Sequence, residues 1–191
     1  MTLGSDIKAG DPLQWLQEHG DALYGYGMLR VGNPSVAEDL VQETLLAALQ
    51  GVDGFKGKST ERTWLTGILK HKVCDYLRKV GRELPLDEKI LEDEDTAAYF
   101  DETGHWKLRG SEWGDPQQSL ENEQFHLTMQ NCISRLPHRL RTLYTLREMD
   151  QMDTRELIET LNISSENNLW VMLSRARVHL RQCLEINWFA T

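Results

Sequence analysis

The stretch Glu61–Arg82, ERTWLTGILKHKVCDYLRKVGR, decides how the rest of the chain is read. Taken as a helix, it sets Leu65, Ile68, Leu69, Val73, Tyr76, Leu77 and Val80 at the three- and four-residue steps of one buried stripe. Lys70, His71, Arg78 and Arg82 then fall on the opposite side. Two readings are open on these residues alone. One is a core helix with an ordinary solvated face, the usual fate of such a pattern. The other is a helix whose basic face meets phosphate.

Charge is distributed unevenly around this stretch. The 191-residue chain carries a formal net charge of -9, which at face value argues against a nucleic-acid partner. From Glu83 to Glu123, however, 13 acids stand against 3 bases, so the rest of the chain is close to neutral. Between Phe55 and Arg82, 8 basic residues face only 2 acids. The acidity is local, and a basic patch lies immediately before it.

Upstream, Gly51, Gly54 and Gly57 mark a loop, GVDGFKGKST, with one aromatic, Phe55, among its lysines. Before that loop, Ser35 to Gln50 reads as a helix, with Ser35 as N-cap and Glu38 completing a capping box. Val36, Leu40, Val41, Thr44, Leu45 and Ala48 form its buried stripe, and Glu38, Asp39, Gln42 and Glu43 an acidic outer face. The break at Gly32 to Pro34 separates it from an earlier helix over Asp11 to Met28, weakened by Gly20, Gly25 and Gly27.

Downstream of Arg82 the helical periodicity fails, and an acidic stretch with Pro85 and Pro116 reads as a linker. Helical patterning returns from Leu120, stops before Pro137 and resumes over His138 to Glu148. Asp153 then caps a short helix, with Glu156 at the third position. Asn162 to Ser164 make a turn, and a long helix runs from Glu166 to Leu184. That is the outline of a helix-turn-helix. In the second helix Leu169, Met172, Leu173, Ala176 and Leu180 point inward. Asn167, Trp170, Val171, Ser174, Arg175 and Arg181 are expected on or beside the outer face, with Arg177 nearer its margin. The expected fold class is all-α: two small helical domains, residues 11–82 and 120–186, joined by an acidic linker over 83–119.

Several function classes find little support. No Gly-rich phosphate loop, motif-spaced nucleophile or singled-out carboxylate pair suggests an enzyme. Three scattered cysteines, Cys74, Cys132 and Cys183, do not make a disulfide framework. His71 with Cys74 and His179 with Cys183 have helix-face spacings but no four-ligand zinc pattern, so neither a metal nor a cofactor is expected. No apolar run approaches a membrane span and the N-terminus lacks an apolar signal core, which implies a soluble protein of a reducing cytoplasm without membrane insertion.

The series AEDLVQETLLAAL (Ala37 to Leu49), RTWLTGILKHKVCDYLRK (Arg62 to Lys79), LPHRLRTLYTLRE (Leu136 to Glu148) and TRELIETLNIS followed by SRARVHLR (Thr154 to Arg181) resembles the extracytoplasmic-function (ECF) sigma factors. These are small two-domain initiation factors of bacterial transcription. The resemblance implies that Asp39, Gln42 and Glu43 dock on core RNA polymerase. It implies that Phe55, Lys56, Lys58, Arg62, Lys70, His71, Lys72, Arg78 and Lys79 serve the promoter's -10 element, where a basic track holds phosphates and the loop holds a flipped base. It also implies -35 contacts from the helix-turn-helix through Arg155, Asn167, Asn168, Trp170, Ser174, Arg175, Arg177 and Arg181. Lys72 falls within the apolar stripe, where snorkelling competes with DNA contact, and Trp64 reads better as an anchor at the helix start than as a stacking platform. The segment before Ser174 is one residue longer than the family's usual form, and His71 stands where the family often has Asn. The ending NLWVMLSRAR with CLEINWF is similar to a branch in which some members pair with zinc-binding anti-sigma proteins, which implies such a partner here. The rival is a helix-turn-helix regulator that binds duplex DNA without polymerase.

Overall fold

The computed structural model describes residues 12–83 and 123–189, and every regular element among them is helical. The chain divides into two compact units between Val80 and Gly81. Residues 84–119 of the expected acidic linker lie outside the described residues.

The first unit contains α1 (Pro12–Val31), α2 (Pro34–Gln50) and α3 (Glu61–Glu83). α1 survives its glycines because tertiary packing outweighs their propensity cost. Gly27 is buried where α1 crosses α2, and a Cβ there would already be in van der Waals contact with Ala37. Gly32, with φ 64, ends α1 in the left-handed region that glycine adopts without a steric penalty, and its N–H donates to the Met28 carbonyl at 2.9 Å. α2 begins two residues later. Asn33, not Ser35, is the N-cap: its side-chain oxygen accepts from the Val36 N–H at 3.2 Å, and Pro34 occupies the first helical turn. A proline there is pre-set for helical φ and its missing N–H is one the helix could not have used, so the boundary falls two residues earlier than a Ser35 capping box implies.

Buried Trp15, Leu23 and Val31 of α1 join Ala37, Leu40, Val41 and Ala48 of α2 and Leu65, Leu69, Val73, Cys74 and Leu77 of α3 in the core. Arg30 is buried as well. Its guanidinium lies 3.4 Å over the Tyr26 ring and donates to the Tyr26 carbonyl at 2.8 Å, at the C-terminal end of α1 where a cation is favoured.

The second unit contains α4 (Glu123–Ser134), α5 (His138–Tyr144), α6 (Thr154–Leu161) and α7 (Glu166–Leu184). A wider five-residue turn, Thr145–Met149, extends α5, and another, Glu185–Phe189, extends α7. Asp153 caps α6, accepting from the Glu156 N–H at 2.8 Å, and Ser165 caps α7, accepting from Asn168 at 3.2 Å. Asn162 closes α6 at φ 49, a left-handed position that Asn tolerates. Leu169, Met172, Leu173, Ala176 and Leu180 bury as the periodicity requires, and Leu140 and Leu143 of α5 and Leu157 of α6 are buried too. α7 packs on α4, α5 and α6.

Three arginines serve this unit's own backbone. Arg139 donates to the Leu161 carbonyl at 3.0 Å, Arg141 to Ser134 at 2.9 Å and Arg147 to Met152 at 2.9 Å. Each satisfies a carbonyl at or near the end of a helix or turn. Burial lowers the Arg141 pKa from its ordinary value.

The cysteine expectation needs correction. Cys132 of α4 and Cys183 of α7 are joined by a disulfide, with Cα atoms 5.7 Å apart across 51 positions of sequence, while Cys74 is buried and takes no part in a disulfide. Scatter along the chain says nothing about proximity once α4 lies along the end of α7.

Candidate nucleic-acid interface

α2 and α3 present two differently charged surfaces in the first unit. On α2, Asp39, Gln42 and Glu43 are all exposed, opposite the buried Leu40, Val41 and Thr44. The same stripe continues one and two turns further as Leu46 and Leu49, which remain 59% and 42% exposed. These two leucines escaped the sequence reading, although steps of three from Glu43 to Leu46 and Leu49 placed them on the acidic face rather than the buried one.

On α3, His71 and Lys79 are exposed, and Lys70 and Arg78 are half-buried. Arg78 is oriented by Asp75 at 2.9 Å. Lys72 snorkels out of the apolar stripe, its Nζ 3.0 Å from a Glu43 carboxylate oxygen. The basic and acidic helices are thereby tied together at their border.

The loop between them brings Lys56 and Lys58 to the surface, followed by Arg62, exposed in the first turn of α3. Thr60 holds that turn, its hydroxyl accepting from the Thr63 N–H at 3.2 Å. Phe55 stacks on Trp64 with ring centroids 4.8 Å apart and planes at 29°, and Trp64 meets Trp15 edge-on at 5.8 Å. Trp64 thus anchors the loop to α1, and Phe55 is half-buried on it rather than projecting as a bare platform.

In the second unit, Arg155 is exposed at the start of α6, and Asn167 and Trp170 are exposed in the first turns of α7. Asn168 is half-buried, its side-chain amide donating to the Ser164 hydroxyl at 2.6 Å. Trp170 Nε1 donates to Glu166 at 3.2 Å, and Arg147 sits 5.6 Å over the indole ring, a contact absent from the sequence reading because the two residues come from different helices. Ser174 is half-buried, and Arg177 is exposed and paired with Glu148 at 2.7 Å. The expected surface position of Arg175 and Arg181 is corrected: both are only 8% exposed, and Arg181 Nε binds Glu185 at 2.8 Å. α7 is enclosed by three helices, so the inward arc is wider than five apolar residues suggest. Tyr144, beside Arg177 and Glu148, has its pKa raised chiefly by burial and further by Glu148, with Arg177 opposing.

Among the described residues one trio brings cation-type ligand atoms within 4.8 Å of one another: Glu18, His19 and Glu61. The His19 Nε2 to Glu61 distance is 3.9 Å. With Glu18 exposed and also accepting from Gln14, the trio has the character of a surface ion-pair cluster. No helix among the described residues is long and apolar enough to cross a membrane.

Fold and surfaces together define a class: an all-α protein of two compact units, one pairing an acidic helix with a basic one, the other bearing a helix-turn-helix. A family model for sigma-70 region 2 matches residues 15–83. A probable RNA polymerase sigma factor of Haemophilus influenzae is 36% identical over 172 residues, covering 88% of this chain and 87% of the relative. The ECF RNA polymerase sigma factor SigW of Bacillus subtilis is 27% identical over 143 residues, covering 75% of this chain and 73% of SigW. A Bartonella quintana sigma factor RpoE, solved in complex with the anti-sigma factor NepR, aligns over 92% of this chain and 97% of that one at 20% identity and a TM-score of 0.43. The chain belongs to the sigma-70 family of RNA polymerase sigma factors, in its extracytoplasmic-function group.

Proposed function

We propose that this sigma factor divides its work between the two faces of its first unit: α2 docks on core RNA polymerase, and α3 with the preceding loop holds the melted -10 strand. The observation that carries this reading is the exposed stripe Asp39, Gln42, Glu43, Leu46 and Leu49 on a helix whose other side is core. An acidic head followed by uncovered leucines suits a protein interface, which combines charge steering with apolar contact. Lys70, His71, Arg78 and Lys79 supply the phosphate track on α3, with Lys56, Lys58 and Arg62 at its entrance. Phe55, seated on Trp64, forms a wall of the base pocket rather than a lone stacking ring.

Within the second unit, a domain of residues 120–186 would read the -35 element as duplex through Arg155, Asn167, Trp170, Ser174 and Arg177. Arg175 and Arg181 are better suited to holding α7 in place than to reaching DNA. Residues 11–82 form the polymerase and -10 domain, and 83–119 the linker. The protein acts in the cytoplasm, has no catalytic role of its own, and is held in check by an anti-sigma partner of the zinc-binding kind.

The test is promoter-specific initiation by purified protein with core RNA polymerase. Discrete start sites that core enzyme alone does not use are expected, and Asp39→Lys with Glu43→Lys should weaken core binding by about tenfold or more, roughly 1.4 kcal/mol. Tight promoter binding by the protein alone, without association with core enzyme, would favour the regulator reading. Unchanged core affinity in the double variant would remove the docking assignment.

A further inference from the structure

The Cys132–Cys183 bond lies in the wall of a pocket of about 330 Å³, not in closed core. Cys132, on α4, is buried, whereas Cys183, at the end of α7, is half-exposed. Arg135, His179, Gln182 and Asn187 supply the polar lining, and no carboxylate is among the lining residues described. Asn187 Nδ2 lies 3.6 Å from Cys183 Sγ as a donor. A guanidinium, an imidazole and an amide donor thus line the approach to the more accessible sulfur, the polar, partly open setting of an exchangeable cysteine rather than a core one. The pocket leads an incoming sulfur to Cys183, with Cys132 behind it.

The same place anchors the chain end. Ile186 is 71% exposed, and the segment Glu185–Phe189 returns to α4 through Trp188, edge-on to Phe125 at 5.4 Å. Phe125 and Cys132 are seven residues apart on α4, two turns along one face. The segment is therefore held to α4 directly by an aromatic contact, while the covalent tie sits two residues before it, at Cys183 in the last turn of α7.

We propose that Cys132 and Cys183 are a dithiol/disulfide exchange site for low-molecular-weight thiols, and that its state sets how firmly the segment Glu185–Phe189 is held to α4. In the oxidising direction the Cys183 thiolate attacks one sulfur of a small disulfide, forming a mixed disulfide and releasing the first small thiolate. The Cys132 thiolate then attacks Cys183 Sγ and releases the second. Two electrons pass from the protein thiols to the small disulfide, and the two protein protons end on the two released thiols. Reduction by small thiols is the reverse. Cys74, buried in the first unit, takes no part. This inference is independent of the polymerase and promoter assignments and concerns the second unit alone.

The full chain, equilibrated natively in buffers spanning reduced to oxidised glutathione, then acid-quenched, denatured and alkylated with a mass tag, tests it. The expected result is a reversible change of two thiols, at Cys132 and Cys183, with the same midpoint from either starting state and Cys74 tagged throughout. Three tagged thiols even in fully oxidised glutathione would overturn the site. So would a bond that excess reduced glutathione cannot open without denaturant. In hydrogen exchange, amides of Glu185–Phe189 should exchange at least several-fold faster in the reduced chain while α2 is unchanged. Equal exchange in the two states would overturn the coupling to the segment. Cys183→Ser should reproduce the reduced pattern; because the wild-type chain is compared in both states, the result does not depend on how that variant folds.

Discussion

Lys72 occupies the buried stripe of α3, its side chain 27% exposed, and reaches Glu43 at 3.0 Å. An ion pair this open to water contributes at most about 1 kcal/mol, so its importance is geometric: it fixes a lysine of the basic helix against the acidic one. Arg78 is different, because Asp75 orients it from the same helix while leaving it at the surface. The apolar period placed Lys72 inside the stripe, and its reach to Glu43 is the snorkelling that this placement allows. The same reasoning failed at Arg175 and Arg181, where helical angle alone does not reveal how many neighbours enclose α7. Tyr144 offers a titration to follow. Its pKa is raised above the ordinary 10.0, so the folded state prefers the neutral phenol. That contribution is complete below the unfolded pKa and is lost as pH rises through the folded one. Thermal melting of the protein should therefore fall more steeply above about pH 10 than it does in Tyr144→Phe, whose melting should lack this component.

At the level of elements, α2 shows what a helix gains by leaving apolar residues uncovered. Leu46 and Leu49 are only partly covered on folding, so Leu46→Gln with Leu49→Gln should change stability by no more than about 1 kcal/mol per site. Core polymerase affinity of that variant, measured by equilibrium competition, should nevertheless drop several-fold. A large loss of stability with unchanged affinity would show that the leucines belong to the fold. The helices themselves were legible in sequence: α6 and α7 begin where Asp153 and Ser165 can cap them, and α7 spans Glu166–Leu184 as its periodicity requires. The start of α2 was misplaced because Ser35 and Glu38 satisfy a capping pattern on paper, while Asn33 and Pro34 satisfy the backbone first. The tie between α4 and α7 was not legible, since a 51-residue separation carries no local signal. Closing a loop of that length is worth about 4 kcal/mol in the chain-entropy picture, enough for the redox state to register in the second unit's stability.

Over the whole molecule, the net charge of -9 conceals the arrangement that matters. The excess acid lies between Glu83 and Glu123, and the basic patch between Phe55 and Arg82 precedes it, so bulk charge alone misdirects while local charge points to phosphate. The proposed division of labour between α2 and α3 makes a separable prediction, because the two surfaces would bind different partners at different steps. The most direct test is permanganate reactivity of unpaired thymines at a cognate promoter, using holoenzyme assembled at saturating concentration with wild-type protein or with Lys70→Glu and Arg78→Glu together. The double variant should still bind core RNA polymerase within about twofold of wild type, while strand opening falls by about tenfold or more. Undiminished opening, or loss of opening and of core binding in equal measure, would contradict the proposed division.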